Sequence, residues 1–581
     1  MTIQYFVRLC AHDLRPTVEP ADLAALGLKF LARLGDGMVF ASDSGAVLKF
    51  ANGDLLIGEL FLRDGRHVTD MASLPKETSF RAVRDFVLTQ CWGDYVLLQQ
   101  IPGDSRAFAL LRSPTPVCDL QCVYSLGDAE GFITSDITLA MRLGLYERRV
   151  DPVALVRCLA YPNLKASSTA LLGVSELPPG SALHVTGDAL QVTSTWTPWD
   201  FVRPEQRYPS FEEAALEVRR SVDMVISAYA DRHQCVLLEL SGGLDSSIVG
   251  TSLMGTPARV VCQSLTTPLP GTQEQDYARS IAELLGVQLA VRELDFDEVP
   301  FRFPVPRKLC APSTGMLQFA VDRVMRDAAE MSGSDGYFSG AGGDSVFCFL
   351  STASPAADAV RSAGLRRGLR TVGDLADFHQ CTFWKAGGLA MRRLFVERPP
   401  LSADTSLLVK SLEIPKPETH PWNDGPDAAL PGDRERIAEL ASTQLFRGGC
   451  ARGLARPLRM PLLAQPVIEA CLRAPSWMWF RGGQNRAVAR QAFADRLPGN
   501  VLNRKSKSTF TAYLGAIYRR KGGELLHFLT EGRLQAHGIL DADALRNLRR
   551  ANAPADEAFF MRVFQLCAVE NWMQQQSQDP R

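Results

Sequence analysis

Two textures of hydrophobic patterning divide the chain. From residue 1 to about 200, short apolar segments alternate with polar positions and are punctuated by glycine and aspartate, as in the run from Met38 to Gly65. Such alternation predicts antiparallel strands joined by hairpins. A helical patch from Pro152 to Leu159 interrupts it, and Ser181 to Val185 followed by Leu190 to Trp196 predicts a closing hairpin around Gly187-Asp188. Thr197 to Pro209 then carries three prolines and no periodicity, which is the composition of a domain boundary.

Beyond that boundary the period changes. Ser210 with Glu213 three positions on forms a capping-box signal, and Phe211, Leu216, Val222 and Val225 recur near helical spacing. An apolar strand (Cys235 to Leu240), a glycine turn, a helix, a strand (Val260 to Leu265), a helix (Gln275 to Leu285) and a strand (Val287 to Leu294) follow. Alternation of strands with helices predicts a parallel sheet covered on both faces. Past Ala390 the pattern is mainly helical, apart from Pro399 to Gly432, which is rich in proline and polar residues and predicts a long loop.

Composition narrows the function classes. A chain of 581 residues is too long for one core and predicts two or more domains. With 46% hydrophobic and 22% charged residues, and no run near the roughly 20 apolar residues of a membrane span, no membrane partner is expected. The first residues lack the pattern of a signal peptide, so a cytoplasmic location is expected. Thirteen scattered cysteines argue against a disulfide framework, and the eight histidines never cluster at zinc-ligand spacing. A net charge of −1 removes the footprint of a dedicated nucleic-acid binder, so no nucleic-acid partner is expected.

Chemistry concentrates in two glycine turns. Ser241-Gly242-Gly243-Leu244-Asp245-Ser246-Ser247 links a predicted strand to a predicted helix. The glycines let the backbone approach an anion, N–H groups at the helix start face it, and the serines add hydroxyl donors. Asp245 would repel phosphate unless a cation lies between them, which implies Mg2+. No Gly-x-x-x-x-Gly-Lys-Ser/Thr segment occurs, so this is not the loop that cleaves at the γ-phosphate. A second turn, Ser339-Gly340-Ala341-Gly342-Gly343-Asp344-Ser345-Val346-Phe347, follows the short strand Gly336-Tyr337-Phe338, and Asp344 is a candidate second metal ligand opposite Asp245. For each turn taken singly, a glycine turn with a capping side chain is the structural alternative.

Together the two turns resemble the asparagine-synthetase-like family of ATP pyrophosphatases. Further stretches extend the resemblance: the Arg456-Pro-Leu-Arg-Met-Pro-Leu-Leu run, Glu469, Arg481 to Arg490, Leu497-Pro498 and Arg504-Lys505-Ser-Lys507-Ser-Thr-Phe510. The fold it implies is a mixed α/β and α+β two-domain chain. Residues 1–200 would be a degenerate glutaminase-like, Ntn-hydrolase-like antiparallel sandwich, 201–209 a linker, and 210–581 a PP-loop parallel sheet with a helical carboxyl-terminal region. ATP is the implied nucleotide. The resemblance implies that Lys507 lies over the reacting phosphate with Arg504 and Lys505 nearby, a solvated basic loop being the alternative for these three, that Ser339, Gly340, Gly343 and Leu265 line the nucleotide, and that Glu469 orients substrate or acts as a base, with packing inside its helix as the alternative. A cation at Lys507 would offset charge on departing pyrophosphate. Glu274-Gln-Asp276 falls where the family carries an acidic pair, with a structural or metal-adjacent role.

Glutamine-using members begin Met-Cys-Gly-Ile, whereas this chain begins Met1-Thr2-Ile3-Gln4. Thr2 could serve as a nucleophile only with its own amine as base. The expectation is a scaffold without glutaminase activity, and hence an amine carried by the substrate itself. β-Lactam synthetases and the cyclases that close the isopeptide ring of lasso peptides resemble that description, and Asp344-Ser345, in place of the usual Asp-Glu, fits both. The run from Glu469 to Pro475 and the long Pro399 to Gly432 loop incline the reading to the cyclases, with a precursor peptide as substrate and leader-binding or protease maturation proteins as partners. A small-molecule amide synthetase, a tRNA-modifying pyrophosphatase and a catalytically silent binding protein are the rivals.

Overall fold

The computed structural model describes residues 3–10, 18–42, 46–70, 79–126, 130–186, 189–269, 274–313, 315–395, 402–448, 450–504, 511–550 and 557–576. The strands of the first 200 residues are β1 (Tyr5–Cys10), β2 (Lys29–Leu34), β3 (Gly37–Ala41), β4 (Val47–Lys49), β5 (Leu55–Leu62), β6 (Cys91–Gln100), β7 (Phe108–Arg112), β8 (Val123–Leu126), β9 (Glu130–Thr134), β10 (Ser175–Glu176), β11 (Ser181–Thr186) and β12 (Ala189–Ser194). They form two antiparallel sheets, ordered β10-β8-β9-β1-β3-β2 and β12-β11-β7-β6-β5-β4. The expected hairpin is β11 against β12, with Leu183 opposite Val192, and its turn at Gly187-Asp188 lies outside the described residues.

Period-two patterning sends Tyr5, Val7, Val39 and Ile133 of one sheet against Ile57, Val96, Leu98 and Leu110 of the other. The opposite faces of the central strands are covered as well, while the edge strands β2 and β12 stay largely exposed. Phe6, Phe40 and Phe132 pack against Leu139 and Leu155, while Leu97 and Leu111 pack against Val83 and Val87 of the helix Phe80–Thr89. Burial on both sides explains runs such as Leu55-Leu-Ile, where apolar residues occupy consecutive positions.

The rest of the chain is built on a five-stranded parallel sheet: β13 (Cys235–Glu239), β14 (Arg259–Thr266), β15 (Leu289–Glu293), β16 (Gly336–Ser339) and β17 (Leu458–Arg459), in the order β15-β14-β13-β16-β17. Val236 and Leu238 face Ile248 and Ile281 of the helices Leu244–Ser252 and Glu274–Leu285. Leu237 and Tyr337 face Val324 and Met325 of the helix Met316–Ser332. The fold is thus mixed α/β, with antiparallel sheets in the amino-terminal part and a parallel sheet in the carboxyl-terminal part. Ser210 caps the helix Phe211–Ala230 through a bond from the Glu213 N–H, 3.1 Å, as its spacing predicts.

The proline-rich stretch after β12 forms two short 3-10 turns, Pro198–Val202 and Pro204–Gln206, and Trp199 is buried with its indole N–H donating to the Trp422 carbonyl at 2.7 Å. Residues 402–432 run as a strap of mostly irregular chain, with a 3-10 turn at Pro421–Asn423 and its last two residues opening the helix Pro431–Ser442. Its Asp404 N–H donates to the Ala160 carbonyl, Val409 to that of Ile539, and Glu418 accepts from the Ser168 N–H. No described helix is long and apolar enough to cross a membrane.

Candidate nucleotide site

Strand order places the site. The chain leaves β13 for β14 and β15 on one side, then returns to lay β16 on the other, so the connections from β13 and β16 diverge at their carboxyl ends. A crevice opens where such connections part, and ligands of open parallel sheets bind there. Both glycine turns sit at this point: Glu239 and Ser339 are paired across β13 and β16, and the turns follow them.

The first turn uses a left-handed residue, Gly242 with φ +68°, to reverse into the helix Leu244–Ser252. Gly243 is its N-cap and offers no side chain, so first-turn N–H groups stay available to a ligand. Ser241 Oγ meets Ser246 Oγ at 3.1 Å and accepts from the Gly243 N–H at 3.3 Å, and Ser246 Oγ also donates to the Gly243 carbonyl. Ser247 Oγ is buried without a hydrogen-bond partner, as are Ser264 Oγ and Thr266 Oγ1 near the end of β14. Orphaned hydroxyls at the carboxyl edge of a sheet are suited to a polar ligand.

The second turn lies directly on the first. A Cβ added at Gly340 would fall 2.5 Å from the Ser246 nitrogen, and one at Gly343 would fall 2.3 Å from Asp245 Cγ. Only glycine permits that approach. It brings Asp344 beside Asp245, and a single Arg486 nitrogen, Nη1, donates to Asp245 Oδ1 at 3.1 Å and Oδ2 at 3.2 Å and to Asp344 Oδ1 at 2.9 Å. Two carboxylates from two strand ends therefore already share one cation. This donor set fits a divalent ion that takes its remaining ligands from phosphate and water. Among the described residues no group of three or more His, Cys, Asp or Glu side chains could hold a metal.

Arg486 had no role in the sequence reading, although the stretch carrying it did. It caps the helix Ala487–Ala492 with φ +52°, a left-handed conformation uncommon outside glycine. Its guanidinium lies 5.5 Å from the Phe349 ring centroid. Arg490, one turn on, donates to the carbonyls of Asn485, Leu502 and Arg504, and burial, then the nearby Arg486, lower its pKa to about 10.

Of the remaining expected residues, Arg504 reaches the first turn: Nη1 donates to the Gly242 carbonyl at 3.2 Å and the guanidinium stacks 4.5 Å over Tyr277. Lys505 and Lys507 lie outside the described residues. Ser339 ends β16, its Oγ accepting from the Ala341 N–H, and Leu265, paired with Arg292, is the penultimate residue of β14, across β13 from β16. Asp276 pairs with Arg279 on the surface, and the Glu274 side chain lies outside those described.

Glu469, expected as an orienter or base, lies in a hydrogen-bond network of its own. Its carboxylate accepts from Arg63 Nη1 at 2.5 Å and Nη2 at 3.2 Å, from Trp196 Nε1 at 3.1 Å and from Gln465 Nε2 at 2.8 Å. Those bonds tie the helix Gln465–Arg473 to the amino-terminal sandwich. Packing inside an apolar helix signalled this role better than its resemblance to a family position.

Fold and site define a parallel-sheet protein with paired glycine turns that present two carboxylates and a helix start to an anion at the sheet's switch point. The chain belongs to the asparagine synthase family, whose model matches residues 217–574. Membership gives the general chemistry: ATP-dependent formation of an amide bond through an adenylated carboxylate. No curated protein matches the chain. Among solved structures, an allosteric regulatory enzyme of purine biosynthesis is 9% identical, over 52% of this chain and 82% of that one, with a TM-score of 0.21. The glutamine phosphoribosylpyrophosphate amidotransferase of B. subtilis, complexed with ADP and GMP, is 10% identical over 50% of this chain and 65% of that one, with a TM-score of 0.22. Neither likeness bears on the activity of this chain.

Proposed function

We propose that the paired turns hold ATP with Mg2+ and that the enzyme closes a macrolactam ring in a precursor peptide, as a lasso-peptide cyclase does. The observation that carries the nucleotide reading is the convergence of Asp245 and Asp344 on one cationic group. In this reading the N–H groups of Leu244 and Asp245, with the hydroxyls of Ser241, Ser246 and Ser247, hold phosphate oxygens along Gly242 and Gly243. Ser339, Gly340 and Leu265 line the nucleoside, and Asp245 and Asp344 are the metal ligands. Bound Mg2+ would screen the phosphate charge from those aspartates.

An Asp or Glu side chain of the peptide attacks the α-phosphorus, the bond to the β-phosphate breaks, and pyrophosphate leaves past Arg504, Lys505 and Lys507. The peptide's amino-terminal nitrogen then attacks the acyl carbon, AMP departs, and an amide remains. Holding that amine beside the adenylate supplies a high effective molarity.

The case for a substrate-borne amine rests on the amino-terminal sandwich, which this reading makes a degenerate glutaminase-like, Ntn-type domain over 1–200, followed by a linker at 201–209 and a PP-loop synthetase domain over 210–581. Burial pushes the thiols of Cys91 and Cys122 up to about 12 and raises that of Cys158 as well, so none of these three is a ready nucleophile. Leader-binding or protease maturation proteins would be the partners.

Pyrophosphate exchange into ATP tests the reading. It should depend on the peptide carboxylate, and the peptide product should weigh one water less than its precursor. Exchange that depends instead on a small amino acid would make the enzyme a β-lactam-synthetase-like or ammonia-dependent enzyme and contradict the peptide assignment.

A further inference from the structure

We propose that Arg486 is a resident counter-ion of the metal site, displaced when the metal-bearing nucleotide arrives, so that divalent cation and nucleotide bind cooperatively and the cation alone binds poorly. The inference rests on the nucleotide reading of this site and adds to it an order of events.

Three observations support it. Arg486 Nη1 sits within 3.2 Å of both Asp245 oxygens and 2.9 Å from Asp344 Oδ1, where a divalent ion would seek the same atoms. The cluster is partly dehydrated, with side-chain exposures of 9% for Arg486, 16% for Asp245 and 30% for Asp344, so a cation cannot simply add at a distance through water. Three of the four carboxylate oxygens it would seek are held by a guanidinium.

The second observation is that Arg486 is held imperfectly. Its backbone is left-handed at φ +52°, and its Nε is buried with no hydrogen-bond partner. A guanidinium satisfied on one edge only has donors to offer an incoming oxyanion, and phosphate matches its fork geometry as well as carboxylate does.

Third, Arg490 lies one helical turn beyond Arg486, and its hydrogen bonds go to the carbonyls of Asn485, Leu502 and Arg504, which carry no charge. Two neighbouring cations favour an anion. When a triphosphate enters with its metal, the metal takes the carboxylates, the guanidinium takes phosphate oxygens, and every charge keeps a partner. Metal alone would strand Arg486 beside Arg490. By linkage, the factor by which nucleotide tightens metal equals the factor by which metal tightens nucleotide.

The test uses the full chain, Mn2+ as the metal probe and an α,β-methylene ATP analogue, with free Mn2+ read by electron paramagnetic resonance. In the natural protein the analogue should tighten Mn2+ at least ~10-fold. Arg486→Ala should bind Mn2+ without nucleotide at least ~10-fold more tightly than the natural protein, lose most of the coupling, and bind metal-free analogue more weakly. Arg486→Lys, which keeps a charge without the fork, should fall between them. Mn2+ alone should also raise the melting temperature of Arg486→Ala, in which the guanidinium no longer offsets the two carboxylates, and not that of the natural protein. Should Arg486→Ala fold only in the presence of Mn2+, that dependence is itself the expected result. Unchanged or weaker metal binding in Arg486→Ala overturns the proposal. A separate arm guards the underlying reading: if Asp245→Asn leaves Mn2+ binding in the presence of the analogue intact, the metal site itself is misplaced, whatever Arg486 does.

Discussion

Asp245 and Asp344 leave different strands, and their usefulness depends on how closely two glycine turns approach. Removing either carboxylate should cut pyrophosphate exchange at least ~100-fold, the scale of losing a transition-state charge contact, while leaving the fold intact. A subtler test is Gly343→Ala. Its methyl would fall 2.3 Å from Asp245 Cγ and push the carboxylate aside. Misplacement of about 1 Å costs about 100-fold in rate, so exchange should collapse while thermal melting stays near that of the natural protein. The aspartates were legible in the sequence because each ends a local strand–turn–helix signature. Arg486 was not, since its importance comes from a long reach across the fold and a left-handed backbone that no neighbouring residue announces. A positively charged residue just before a helix in a stretch already resembling the family was the available signal.

At the scale of elements, the strap over 402–432 carries a pH-dependent fastening. His420 Nδ1 accepts from the Trp422 N–H at 3.0 Å, and its Nε2 lies 2.7 Å from Gln444 Nε2. Burial, with Arg112 and Lys165 adding to it, holds the imidazole pKa at about 3 against an ordinary 6.5. The folded ring is therefore neutral, and the unfolded chain takes up a proton below its ordinary value. Stability from this group is complete above pH 6.5 and is lost as pH falls toward 3. Melting temperatures followed on acidification should fall more steeply for the natural protein than for His420→Gln, and parallel curves would contradict this.

Elements with several turns or several alternations were readable before the fold was known, including β11 with β12, the helix capped by Ser210, and β13 to β15. β17 was missed because two residues, Leu458 and Arg459, carry no periodicity and become a strand only by lying beside β16. The alternation in the amino-terminal part predicts strands and hairpins, whereas the helices that cover their faces come from patterning elsewhere in the chain.

Across the whole molecule, ion pairs join sandwich and parallel sheet. Arg459 reaches Glu59 at 2.6 Å and Asp94 at 3.7 Å, and Arg63 reaches Glu469. Arg63→Ala would leave a largely buried Glu469 with only its Trp196 and Gln465 donors, and should cost about 1–3 kcal/mol of stability by denaturant unfolding. Glu469→Gln should likewise lower stability yet leave the exchange rate within about twofold, since neither change touches transition-state contacts. A large drop in exchange with stability unchanged would instead assign Glu469 a catalytic role.

The central claim is that the site at the switch point of the parallel sheet adenylates a carboxylate. Its most direct measurement follows heavy oxygen from the labelled carboxylate of the substrate through one turnover. The account predicts one labelled oxygen in AMP and none in the pyrophosphate. Label that appears in inorganic phosphate, with ADP as the other product, would place attack at the γ-phosphate and contradict it.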